Sequence, residues 1–519
     1  MAVCCFVRVF NPFSGAGKDF LMSLINISNL TFAYDTSYDN IFTGVSFQID
    51  TDWKLGFCGR NGRGKTTFLK LLMGQYEYSG TITASVDFEY FPYEVEDKSR
   101  PTLEVLSSIA PEALLWQLQK ELSKLAVDDE ALYRPFAELS GGEQTKALLA
   151  GLFLRENNFL LIDEPTNHLD MAARGTVARY LNGKSGFILV SHDRAFLDEC
   201  VDHVLSINKA NIEIQSGNFS SWWHNKKLQD EFEAAENERL KKDINRLEAA
   251  VKRTAAWSDK AERRKVGIDP NKVDVKFGYA PKQAAKAKKM MARSKAIQER
   301  QQNSIEEKSR LLKNIETADA LKIHPLAYHA SRLLSLEKIS VSYGGRDVIN
   351  GLSFELAQGD RLALMGGNGS GKSSLIKLIC GEDIPHTGNL YIASRLIISY
   401  VPQDASFLAG NLSEYADEQG IDETLFKTNL RQLDFSRIQF EKDMGDYSAG
   451  QKKKVLIAAS LCRRAHVYIW DEPLNYIDVL SRMQIEALIT DYQPTLLFAE
   501  HDRAFCGNIA TKEVLLRNV

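Results

Sequence analysis

Apolar and polar residues alternate roughly as in a strand through LINISNLTFAY, which follows Met22, and again through LLSLEKISVSY, which starts at Leu333. Short unbroken apolar runs come next, such as FLLI at 159–162 and GFILV at 186–190. Their length suits strands buried on both faces. Helical segments such as FLKLLM (68–73) and LIKLIC (375–380) stand between them. The succession predicts an α/β fold: a largely parallel sheet covered by helices, with an antiparallel portion at each N-terminal end. No run approaches the roughly 18 apolar residues of a membrane-spanning helix. Between 225 and 325 the period changes. Leu228, Phe232, Leu240, Ile244, Leu247 and Val251, then Met291, Ile297, Leu311 and Ile315, fall at helical spacing. They predict two long helices in an antiparallel hairpin, with the stretch holding Gly267, Pro270, Gly278 and Pro281 as its turn. A helix from about Ser221 to Lys265 reaches roughly 60 Å.

The chain repeats itself. GRNGRGKTT (Gly59–Thr67) returns as GGNGSGKSS (Gly366–Ser374), SGGEQ as SAGQK, LLIDEP as YIWDEP and SHDRAF as EHDRAF, each 307 to 309 residues later. Two copies of one domain therefore lie in tandem. The expected boundaries are 22–224 and 326–519, with 225–325 as linker and 1–21 as an upstream extension. The first 21 residues make a poor signal peptide, because Arg8 interrupts their apolar stretch and no basic leader precedes it.

Composition adds one asymmetry. The 519 residues carry a net charge of −4, yet 225–325 hold 25 Lys/Arg against 16 Asp/Glu, so the remainder is strongly acidic. The seven cysteines (Cys4, Cys5, Cys58, Cys200, Cys380, Cys462, Cys506) show no zinc spacing and read as reduced thiols of a cytosolic chain.

GxxxxGK[ST] after a strand and before a helix is a phosphate loop. In the first copy it supplies Gly59, Asn61, Gly62, Gly64, Lys65, Thr66 and Thr67; in the second, Gly366, Asn368, Gly369, Gly371, Lys372, Ser373 and Ser374. Backbone N–H groups at the helix N-terminus converge on phosphate oxygens, the lysine adds charge, and Thr66 or Ser373 offers a hydroxyl to Mg²⁺. Asp163 and Asp471, at the ends of apolar strands, face the metal shell; Glu164 and Glu472 beside them are placed to deprotonate the attacking water. His192 and His501, each after a further apolar strand, are placed for the γ-phosphate.

These elements resemble the ATP-binding-cassette ATPases over about four-fifths of the chain, the family signature standing as LSGGEQ (139–144) and, weaker, YSAGQK (447–452). The resemblance implies cassettes facing head to tail. Lys65 then shares an ATP with Ser448 and Gly450, and Lys372 with Ser140, Gly141 and Gly142. Tyr34 and Tyr343 match the adenine-stacking aromatic, and also suit ordinary strand-end tyrosines. Gln403 matches the family's metal-associated glutamine, whereas the first copy has Tyr93 there; Ala449 replaces the glycine at 141, and DEPLNYID replaces DEPTNHLD. Two competent but unequal sites are expected, with Mg²⁺ held through Thr66 and Asp163 in one and Ser373, Gln403 and Asp471 in the other.

The linker suggests the partner. Lys252, Arg253, Lys260, Arg263, Arg264, Lys265, Lys272, Lys276, Lys282, Lys286, Lys288, Lys289, Arg293 and Lys295 are set against four acidic residues, with Trp257 and Phe277 able to stack on bases. That pattern favours RNA over a merely solvated hairpin. Tandem cassettes with such a linker resemble the ABC-F proteins, and the compact first copy and WDEPLNYID most resemble the Lsa/Vga-type antibiotic-resistance branch. The resemblance implies a cytoplasmic, ribosome-associated monomer that binds near the tRNA exit site. Its linker displaces lincosamide, pleuromutilin or streptogramin A drugs from the peptidyl-transferase centre, and ATP hydrolysis releases it. A housekeeping translation factor, a sugar-importer ATPase subunit and a non-ribosomal nucleic-acid ATPase are the competing readings.

Overall fold

The computed structural model describes residues 23–34, 40–167, 169–207, 212–266, 292, 296, 299–300, 321–343 and 346–516, with side chains up to 253 in the long helix. The chain divides into two units, Met1–Ser220 with Ala320–Val519, and Ser221–Asp319.

The first unit contains both cassettes. The strands of the first are β1 Leu24–Phe32, β2 Phe42–Asp50, β3 Lys54–Cys58, β4 Ser79–Thr83, β5 Asp87–Phe91, β6 Asn158–Asp163, β7 Phe187–Val190, β8 His203–Ile207 and β9 Ile212–Ser216. An antiparallel sheet β2-β1-β4 packs beside a six-stranded sheet β5-β6-β7-β3-β8-β9, parallel except for its β8–β9 edge. The alternation in β1 is imperfect for a visible reason. Ile25 and Ile27 are buried, the register shifts at a left-handed Asn29 (φ 51°), and Leu30 and Phe32 then resume the buried face. The unbroken run Phe159–Ile162 is wholly buried, as a central parallel strand requires.

The second cassette repeats this with β10 Arg332–Tyr343, β11 Arg346–Ala357, β12 Arg361–Met365, β13 His386–Ile392, β14 Ile398–Val401, β15 Val467–Asp471, β16 Leu496–Ala499 and β17 Lys512–Leu515. Its sheets run β11-β10-β13 and β14-β15-β16-β12-β17. In both cassettes the phosphate loop follows a strand (β3, β12) flanked by the strand that precedes the histidine (β7, β16), and that strand lies beside the one ending in Asp-Glu (β6, β15). Consecutive chemistry thus gathers at the carboxyl ends of adjacent parallel strands.

The second unit contains most of one helix, Phe219–Val266, whose 48 residues reach about 70 Å. Ion pairs one turn apart, Lys226–Asp230 (3.0 Å) and Lys242–Glu238 (2.7 Å), line it. Of the predicted apolar stripe, Ile244 is buried and Leu240, Leu247 and Val251 are half-buried, but Leu228 and Phe232 stand exposed. The stripe therefore begins about three turns later than its spacing suggests. The predicted turn and nearly all of the return helix lie outside the described residues.

Candidate ATP sites

Each phosphate loop ends in a left-handed glycine, Gly64 (φ 94°) or Gly371 (φ 89°), directly before the helices Lys65–Leu72 and Lys372–Ile379. A Cβ at Gly64 would lie 2.5 Å from Ile41 Cγ2, and one at Gly371 2.8 Å from Val348 Cγ1, so conformation and space both require glycine. Lys65 Nζ donates to the carbonyls of Gly59 (2.7 Å) and Arg60 (3.2 Å), and Lys372 Nζ to those of Gly366 (2.9 Å) and Gly367 (3.0 Å). Both ammonium groups are thereby aimed along the loop. Burial lowers the pKa of each.

The signature serines cap the helices Gly141–Leu152 and Ala449–Cys462: Glu143 N donates to Ser140 Oγ, and Gln451 N to Ser448 Oγ, both at 3.3 Å. Ala449 is exposed, so its methyl group takes no space from the interface; Gly450 is the position that admits no side chain. A Cβ there would stand 2.4 Å from Tyr476 O and 3.2 Å from Asn61 Nδ2. Asn61 Nδ2 itself donates to Tyr476 O at 2.8 Å. The first phosphate loop thus abuts the second cassette's signature and Asp-Glu loop, head to tail. In the other half, the second phosphate loop (Asn368–Ser374), Tyr343, Gln403, Glu472 and His501 face Ser140, Gly141 and Gly142 across a cavity of about 1130 Å³. Tyr34 packs edge-on against Phe32 and Tyr76 and shares a 2.8 Å hydrogen bond with Thr67.

The acidic pairs are built differently. Glu164 and Glu472 both adopt left-handed backbone (φ 51° and 45°), a strained conformation held because their N–H groups bond Val190 O (2.9 Å) and Ala499 O (3.0 Å). His192 Nε2 lies 3.4 Å from Glu164 Oε1, and His501 Nε2 3.4 Å from Glu472 Oε1. Around Glu472, Gln403 Nε2 (2.8 Å) and Asn475 Nδ2 (2.6 Å) both donate to Oε2. Burial would raise its pKa, but His501, Lys372 and Gln403 together hold it below the ordinary value. Glu164 has Tyr93 where Gln403 would be, and its Oε1 is buried without a hydrogen-bond partner. Burial and the neighbouring Asp163 push Glu164 up to about 8. Burial, with Lys65 and Arg482 close by, keeps His192 neutral.

These environments predict different pH profiles. To serve as a general base Glu164 must first lose its proton, which it does above about 8. In Glu472→Gln, turnover is expected to climb as pH rises through about 8 and then level off. In Glu164→Gln no such climb through about 8 is expected, because Glu472 is held below the ordinary carboxylate value. Parallel profiles would refute the assignment.

The residues fit magnesium in both sites. Both Asp471 carboxylate oxygens are buried without a hydrogen-bond partner, and Ser373 Oγ approaches Gln403 Oε1 at 3.4 Å. Thr66 Oγ1 donates to Asp163 Oδ2 at 2.9 Å, and so does Tyr90 OH at 3.0 Å, a neighbour the motif did not reveal. Among the described residues no cluster of three or more His, Cys, Asp or Glu could cage a metal by itself. Magnesium needs no such cage, since phosphates and waters complete its shell.

Sequence reasoning also missed the arginines behind the Asp-Glu loops. Arg174 Nη1 pairs with Asp193 (3.0 Å) and donates across the interface to His501 O (3.3 Å). Arg482 pairs with Asp502 (3.1 Å) and donates to Leu474 O and Ile477 O, both at 2.9 Å. Their 308-residue spacing was an available signal. Glu500 accepts from Leu474 N (2.7 Å) and His501 N (2.9 Å), replacing the first cassette's Thr166 and Ser191 hydroxyls, which stand 3.4 Å apart.

Comparison with known proteins agrees with this geometry. The family profile described as ABC transporter matches residues 42–167 and 349–475. The ribosome protection protein VmlR of Bacillus subtilis is 27% identical over 512 residues, spanning 96% of this chain and 87% of its own length. The energy-dependent translational throttle protein EttA of Haemophilus influenzae is 25% identical, spanning 91% and 88%. The structure of the archaeal ribosome recycling factor aABCE1 with ribosomal stalk protein aP1 superposes with a TM-score of 0.59 at 19% identity, over 94% of this chain and 87% of that one, a likeness of fold. Two profile matches, two complete motif sets and likeness to ABC-F proteins along almost the whole length show a chain of two tandem ATP-binding-cassette ATPase domains that hydrolyses ATP.

Proposed function

We propose that this protein is an ATP-dependent ribosome protection factor. In this reading the ATP-bound form binds near the tRNA exit site as a monomer, and the linker shifts lincosamide, pleuromutilin or streptogramin A drugs away from the peptidyl-transferase centre. Hydrolysis, with Glu164 and Glu472 as bases and His192 and His501 at the γ-phosphates, then releases it. The supporting observation is the likeness to VmlR over 96% of the chain, which extends across the basic linker as well as the cassettes. No described helix is long and apolar enough to cross a membrane, while the linker helix carries exposed Lys252 and Arg253 at the start of the basic stretch. ATP binding across the head-to-tail interface supplies the differential affinity that selects the ribosome-binding form.

The test uses the Glu164→Gln/Glu472→Gln variant, sedimented with ribosomes with and without ATP over a range of salt. Co-pelleting that requires ATP and weakens with salt is the expected result. A protein that binds ATP yet stays in the supernatant would remove the ribosome reading. The likeness to EttA over 91% of the chain favours a second reading, a translation factor without a drug-related role. Expression in a drug-sensitive host separates the two: raised tolerance to the three drug classes belongs to protection alone.

A further inference from the structure

The two halves of the cassette interface differ in a way the family motifs do not require. At the first phosphate loop, Arg60 Nη1 and Arg63 Nη2 lie 3.6 and 3.4 Å from the same oxygen of Asp434 in the second cassette. Asp434 stands in left-handed conformation (φ 69°) just beyond the helix Glu423–Gln432. Its counterpart 308 residues earlier, Ala126, has the same conformation (φ 52°) but no charge, and it lines the second site's cavity. Opposite Ala126 the second loop carries Gly367 and Ser370 where the first carries Arg60 and Arg63. A second cross-cassette pair repeats the bias. Arg194, two residues after His192, pairs with Glu486, whereas the related positions are Arg503 and the uncharged Ala178. The second site faces Ser140, Gly141 and Gly142 across the cavity of about 1130 Å³.

We propose that Arg60, Arg63 and Asp434 form a latch: they position the first phosphate loop against the opposite signature, so the Lys65 site retains its nucleotide while the Lys372 site exchanges it. The proposal rests on the assignment of the two ATP sites. Two guanidinium groups sharing one half-exposed carboxylate form a modest bond that salt screens. At this place it acts on nucleotide affinity, because the loop it holds is the one that cradles the phosphates. Arg60, Arg63 and Asp434 are positioning residues.

The test separates the sites by background. In Glu472→Gln only the Lys65 site turns over, and in Glu164→Gln only the Lys372 site. Asp434→Ala is expected to raise KM for ATP about five- to tenfold in the first background, with kcat changed less than about twofold, and to leave the second background unmoved. Asp434→Glu should restore KM. Raising salt from about 50 to about 500 mM should weaken first-site affinity more in the parent than in Asp434→Ala. An unchanged first-site KM, or an equal shift in both backgrounds, overturns the latch. Asp434→Asn, nearly isosteric, carries the same expectation should the alanine variant melt early. If Glu164→Gln/Glu472→Gln hydrolysed ATP at the parental rate, the site assignment itself would fall and the latch with it; any other failure is the latch's alone.

Discussion

Replacing Glu164 and Glu472 together with glutamine is expected to lower ATP turnover by about 100- to 10,000-fold while leaving ATP binding intact. Glutamine keeps the size and hydrogen-bonding reach of each side chain but cannot take a proton from water. The left-handed backbone at both positions and the lysines of both loops are untouched, so the phosphate-binding groups stay in place. The single variants should divide the loss unequally. Near pH 7 Glu472 is ionised, held by Gln403 and Asn475, whereas Glu164 is largely protonated. Glu472→Gln should therefore remove the larger share of turnover, and raising the pH above about 8 should narrow the difference. Phosphate release gives the rates, and binding of a fluorescent ATP analogue confirms that affinity survives. Equal losses in the two single variants at pH 7 would contradict the environments found for the two carboxylates.

Much of this was legible before any coordinates. A repeat of about 308 residues with motifs in constant order defines two cassettes, and the strand preceding each motif decides where its side chains emerge. The glutamine at 403 and the tyrosine at 93 set the surroundings of the two glutamates apart. The form of that difference was not legible, because it lies in burial and in donors such as Asn475, which reach Glu472 only once the loop is folded. Nor was the significance of Ala449 and Gly450. Sequence comparison marks Ala449 as the departure, yet the crowding falls on Gly450, against Tyr476 O of the same cassette and Asn61 of the other. Contacts such as Arg63 with Asp434 join residues 371 apart and leave no local periodicity to read. The apolar stripe of the linker was overextended for a related reason: helical spacing shows which residues share a face, and Leu228 and Phe232 show that sharing a face does not ensure that it is covered.

Arg482→Ala should be the most damaging single change to stability, at about 3–5 kcal/mol. Arg482 and Asp502 are 8% and 0% exposed, so removing the guanidinium strands a carboxylate that water cannot reach. It also strips donors from the carbonyls of Leu474 and Ile477. Asp502 keeps one bond, from Phe505 N at 3.0 Å, where it caps the helix Arg503–Ile509. On a cassette of about 200 residues the loss corresponds to a melting transition lowered by roughly 10 °C. The pair Lys512–Asp360, shorter at 2.7 Å but with its lysine in solvent, is the control, and Lys512→Ala should shift the transition by no more than about 2 °C. Arg482→Ala with Asp502→Asn should recover part of the loss, since the stranded charge is gone while a cap remains. The position gives the pair its functional weight. It ties the loop that follows Glu472 to the residue after His501, so these two side chains, 3.4 Å apart, move as one body. Scanning calorimetry of the parent and the three variants decides it. A shift for Arg482→Ala no larger than that of the surface control would mean that the buried pair contributes little.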